Sequence, residues 1–157
     1  MSIKIIYERA PIGAIIRFTD SAAQPEAKDT EALVAWRKRN GTGRFVQRTP
    51  SHTDIICASS CAIVLQQDGP PTDTEAAMLS RQVFWLDSDL SFQIIDRPVP
   101  GNVRVIQHRS WNTTLLHLAK CRDDAERWVK ESGLADLHLE DVTVDEICAD
   151  FVEGRAA

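Results

Sequence analysis

The strongest constraint on this chain is a run without a charged residue, Ile55 to Gln67, bracketed by Asp54 and Asp68. No other uncharged run is as long, and so apolar a segment needs burial, which the rest of the chain must supply. Asp68-Gly69-Pro70-Pro71 ends it, because glycine frees the backbone and each proline removes a donor. Ile55, Ile56, Ile63 and Val64 are β-branched and Ser59-Ser60 reads as a bend. The run is therefore predicted as a central strand, or as two strands meeting at Ser59-Ser60. On one continuous strand Cys57 and Cys61 would lie on the same face about 13 Å apart, at ~3.3 Å per residue, too far to share a metal ion or a disulfide. Both are read as small core residues.

A chain of 157 residues is expected to form one compact domain, weakest between residues 68 and 74. It contains no stretch of 18 or more apolar residues, so no spanning helix is expected, and its first residues lack the apolar core of a signal peptide. Four cysteines without framework spacing point to a reducing compartment, and the cytoplasm is the expected location.

Local patterns fill in the elements. Ile3, Ile5 and Tyr7 alternate with Lys4, Ile6 and Glu8, which predicts a strand; after the Pro11-Ile12-Gly13 turn, Ala14 to Phe18 predicts its hairpin partner. A helix is expected from Asp29 or Thr30 to Arg39, stopped by Asn40-Gly41. Gly43 to Arg48 follows as a strand. Thr72 to Leu79 reads as a short helix with a capping sequence. Val83 to Leu86 and Leu90 to Ile95, joined by Asp87-Ser88-Asp89, predict a second hairpin. Val103 to His108 and Thr113 to Ala119 read as strands. Asp123 is the expected cap of a helix ending at Gly133, Leu137 to Leu139 a short strand, and Thr143-Val144-Asp145-Glu146 the capping box of a last helix. The fold class that follows is α+β: a mainly antiparallel sheet of about 7–9 short strands with three to four helices, two of them C-terminal.

Charge is unevenly spread. Residues 1–60 have a balance of +3 and residues 61–157 a balance of −8. Trp36 to Arg48 contains Arg37, Lys38, Arg39, Arg44 and Arg48 and no acid, with Trp36 and Phe45 interleaved. This is the composition of a nucleic-acid contact, although a helix C-terminus followed by a solvated strand would have it too. Between Glu131 and Glu153 there are eight acids and no Lys or Arg. Glu140, Asp141, Asp145, Glu146, Asp150 and Glu153 are the expected partner-binding acids, a dense negative line resembling that of nucleic-acid phosphates. Uncompensated repulsion on a helix costs stability, so a face that retains it is a candidate docking surface.

No metal ligand set, cofactor site or catalytic residue is assigned. His52, Cys57 and Cys61 give H-x4-C-x3-C without a second ligand pair. Asn40-Gly41-Thr42-Gly43-Arg44 follows a helix rather than opening one, the wrong end for phosphate. The expected function is a small accessory protein that docks an acidic C-terminal face onto a basic partner surface, inhibiting or mimicking the nucleic-acid ligand of a nucleic-acid-binding protein. The alternatives are nucleic-acid binding through residues 36–48, a Cys/His-dependent enzyme using Cys57 or Cys61 with His52, His108 or His117, and a homodimer joined through the opposite charge patches.

Overall fold

The computed structural model describes residues 1–26, 28–49, 61–67, 81–109 and 112–144. Among them lie three helices and eight strands in one antiparallel sheet, the α+β class expected. The first half of the central run, the expected Thr72–Leu79 helix and the expected last helix beyond Val144 fall outside the described residues.

The N-terminal segment departs from expectation. Ile3–Arg9 is a helix, α1, not a strand, so the predicted N-terminal hairpin does not exist. Two periods compete in this sequence. Ile3, Ile5 and Tyr7 satisfy a repeat of two, but Ile3, Ile6 and Ala10 lie at helical spacing, and these three are buried while Ile5 is exposed. Tertiary packing decides for the helix.

Strand β1 (Ile15–Thr19) is followed by helix α2 (Thr30–Arg39), which Asp29 caps by accepting a hydrogen bond from the Ala32 amide (3.0 Å). The helix passes directly into β2 (Gly41–Thr49) through an extended Asn40. Strand β3 (Ala62–Gln66) is the end of the uncharged run, with Ala62, Ile63, Val64 and Leu65 all buried. Strands β4 (Arg81–Trp85) and β5 (Ser91–Asp96) are joined by the predicted turn, closed by the Ser88 amide on the Trp85 carbonyl (3.0 Å). They are not a hairpin: β4 pairs with β3, and β5 with β1. The strands β4-β3-β2-β1-β5 curl until their ends face each other, and the rings of Phe84 and Phe92 meet edge to face at 5.4 Å. Burying both rings in one core outweighs local pairing. Helix α1 packs into this curl with Phe18, Phe45, Ile63 and Leu65, and Met1 bonds Phe92 through its nitrogen and its carbonyl (2.9 Å each).

Strands β6 (Val103–Arg109) and β7 (Asn112–Ala119) form a true hairpin. Helix α3 (Arg122–Ser132) follows, with Cys121 rather than Asp123 at its cap position; Asp124 reaches back to the Lys120 amide (3.3 Å), and Gly133 closes the helix in the left-handed region. Ala125, Trp128 and Val129 pack on Val103, Val105 and Ala119, and Trp128 stacks flat on His117 (5.1 Å). Strand β8 (Leu137–Asp141) pairs with β6.

The two halves meet on β2. Its one edge takes β3; its other edge takes β1 along Gly41–Arg44 and β7 at Gln47–Arg48. The register skips Val46 between these segments, so the sheet forks there. The α1–β1 connector enters the fork. The Gly13 amide donates to the Phe45 carbonyl and the Phe45 amide to the Ala14 carbonyl (2.8 Å each). Ile12 packs against the apolar clusters on both sides. Gly13 has φ +100°, and a Cβ there would lie 3.0 Å from Pro98 Cγ. Gly13→Ala is expected to lower stability by about 1–3 kcal/mol through this strain. Urea unfolding measures it, and an unchanged midpoint would show that the connector relaxes freely.

Candidate functional site

Strands β2 and β8 give the residues of the two charge patches different structural tasks. In the basic stretch, Arg44 Nη1 donates to the Gly13 carbonyl and Arg48 Nη2 to the Ala10 carbonyl (2.9 Å each). Arg104 on β6 adds a third bond, from Nε to the Ile12 carbonyl (2.8 Å). Three guanidinium groups from two strands thus hold the connector between Arg9 and Ile15 in the fork. The Arg48 head also lies over Tyr7 and Phe45, 5.5 and 5.7 Å from the ring centroids. Burial lowers its pKa from the ordinary arginine value, with Tyr7 opposing.

Arg39 bridges two acids, Nε to Asp20 (2.8 Å) and Nη2 to Asp89 (2.7 Å). Buried Asn40 accepts from the Thr19 hydroxyl (2.6 Å) and donates to Asp20 (2.8 Å) and the Trp36 carbonyl (3.1 Å). It ends the helix as a hydrogen-bonding hub rather than through a left-handed turn. Trp36 is half-buried and donates its indole N–H to the Ala22 carbonyl (2.9 Å). Of the six basic and aromatic candidates, Trp36, Arg39, Arg44 and Arg48 have intramolecular partners, and Arg37 and Lys38 lie exposed at the end of α2.

The acidic candidates divide similarly. Glu140 accepts from Arg104 Nη1 (2.7 Å), whose side chain is only 3% exposed, and Asp141 accepts from Arg122 (3.1 Å). Both remain more than half exposed on β8, among the described residues the last strand on its side of the sheet. Leu134 and Val144 flank this strand as exposed apolar side chains. Asp145, Glu146, Asp150 and Glu153 lie outside the described residues. Arg104 escapes a reading of the sequence because it sits unremarked between Val103 and Val105; only the strand register brings it to both Ile12 and Glu140.

Of the nucleophile candidates, Cys61 is 1% exposed. The Tyr7 phenol donates to the Thr49 carbonyl (3.3 Å), and its pKa is raised first by burial and then by Cys61, with Arg48 opposing. Cys57, His52 and Asp54 lie outside the described residues. Among the described residues no three His, Cys, Asp or Glu side chains are grouped as a metal site, and no helix is long and apolar enough to cross a membrane.

The chain belongs to the family described as Uncharacterised conserved protein UCP036055, whose model matches residues 1–146. The match takes in the fork, the basic stretch and β8, together with Glu140, Asp141, Asp145 and Glu146. No curated protein and no solved structure matches the chain.

Three outcomes follow from this geometry. Arg104→Met should cost about 1–3 kcal/mol by stranding the Ile12 carbonyl, and Arg104→Lys should not restore it, because one ammonium cannot reproduce two divergent bonds of a planar head. Denaturant unfolding compares the pair, and full recovery by lysine would refute the two-bond geometry. Asp20 is held at about 2, below the ordinary 3.8, first by the Ala22 amide and then by Asn40 and Arg39. A depressed carboxylate contributes stability above its unfolded pKa, and that contribution is lost as pH falls from about 4 towards 2. An NMR titration of the Asp20 carboxyl should find the low midpoint, whereas one near 3.8 would remove the network. Brief alkylation of the native protein should modify exposed Cys121 and spare Cys61; rapid labelling of Cys61 would revive its candidacy as a nucleophile.

Proposed function

We propose that this protein is a small, non-catalytic accessory domain of the cytoplasm that docks an acidic edge onto a basic protein surface, including one that otherwise holds nucleic acid. The observation that carries the reading is the position of Glu140 and Asp141 on β8, the outermost strand beside β6 among the described residues. Strand β8 gives one edge to β6. The N–H and C=O groups along an outer edge are a template for an added strand, and main-chain bonds of that kind supply affinity while side chains set specificity. Negative charge beside such an edge steers a basic partner to it and makes association salt-dependent. The compartment rests on the cysteine pattern of the sequence.

The alternatives have weaker support. The basic stretch keeps Arg37 and Lys38 exposed, but Arg39, Arg44 and Arg48 already serve internal partners. The one described cysteine of the central run is buried. A nucleic-acid contact would need the phosphate-binding cations that the connector and Asp20 occupy.

Capture from a host lysate tests the proposal, with nuclease-treated and untreated halves and the Asp141→Lys variant in parallel. A basic protein should stay bound after nuclease treatment and leave at high salt, and the reversal should weaken binding about tenfold, mainly through the association rate. Retention that Asp141→Lys does not alter, or that disappears with nuclease, would overturn the acidic-edge reading.

A further inference from the structure

His108 and His138 are distant in sequence and meet on one face of the β6–β8 pair. Ile106 lies opposite His138, so His108, two residues along β6, is its diagonal neighbour on the same face. Both side chains are exposed, and their ring centroids are 4.9 Å apart with the planes inclined at 57°. Nδ1 of His108 lies 2.9 Å from the hydroxyl of Thr113, its direct partner on β7. When Nδ1–H donates to that oxygen, Nε2 carries the lone pair. A second partner of this kind fixes tautomer and orientation in metal-binding histidines.

We propose that His108 and His138 form a chelating pair for a borderline divalent cation of the Zn²⁺, Ni²⁺ or Cu²⁺ type. The separation is the first argument. A metal–nitrogen distance of about 2.0–2.1 Å, plus about 1.2 Å from nitrogen to ring centre, puts each centroid about 3.2 Å from the ion. Two such rings at N–metal–N angles of about 90–110° have centroids about 4.5–5.2 Å apart, and the observed 4.9 Å falls inside that range. Donor chemistry is the second argument. Two imidazoles suit the imidazole-binding transition ions, whereas Mg²⁺ and Ca²⁺ take oxygen ligands. Among the described residues no third His, Cys, Asp or Glu is grouped with the pair. A bound ion would tie the outer strand β8 to β6 and stabilise the sheet in proportion to its occupancy. This inference does not depend on the acidic-edge reading, although it concerns the same strand.

Two measurements on the full chain test it. Substoichiometric Cu²⁺ should first broaden the backbone amide signals of residues 106–108 and 137–139. In calorimetric titration with Ni²⁺ alone, His108→Gln and His138→Gln should each weaken binding at least tenfold, while His117→Gln leaves it unchanged and far-UV circular dichroism confirms that all three are folded. Broadening centred elsewhere, no binding, or a loss of less than tenfold in either single variant would overturn the chelate.

Discussion

The structure depends on how three arginines hold one short connector of backbone. A sheet that forks leaves main-chain groups without a neighbouring strand at the branch, and buried main-chain groups without partners are costly. Here the connector from Ala10 to Ala14 enters the branch. Gly13 and Ala14 complete the pairing of Phe45, while Arg48, Ile12's partner Arg104, and Arg44 satisfy the carbonyls of Ala10, Ile12 and Gly13. The planar, permanently charged guanidinium suits this task, since it offers several donors in fixed directions and stacks on Tyr7 and Phe45 without losing them.

This use of charge changes how the composition should be read. A cluster of cations along Trp36 to Arg48 resembles a binding surface when only the sequence is considered. In the fold, Arg44 and Arg48 both reach from β2 to carbonyls of the connector, and Arg39 is drawn between Asp20 and Asp89. Glu140 likewise faces a buried cation from its own sheet, yet remains exposed enough to meet a partner. One side chain can therefore stabilise the fold and contribute to a surface field, and the two roles cannot be separated by counting charges.

Elements defined by local chemistry were legible in the sequence. Asp29 and the basic last turn marked α2, Gly133 marked the end of α3, and the apolar alternation of Val103 and Val105 marked β6. Elements decided by distant contacts were not. Residues Ile3–Arg9 fit two periods, and only the pocket formed by Phe18, Phe45 and Phe92 selects the helical one. The Asp87–Asp89 turn was correctly placed, but local sequence carries no sign that its flanking strands join different neighbours. The histidine pair was invisible for the same reason: its members become neighbours only through the β6–β8 register.

The pairing of Met1 with Phe92, 91 positions away, has a consequence for synthesis. Helix α1 leaves the ribosome well before part of the surface that covers Ile3 and Ile6, which includes Phe84, Leu90 and Phe92. At roughly 5–20 residues per second, those residues follow on the order of 5–20 s later. During that interval the nascent helix has an uncovered apolar face and too few residues to be stable alone. A helix made well before β5 is thus among the last elements to find its place, and the new polypeptide is most open to chaperones and to misassociation before β5 emerges.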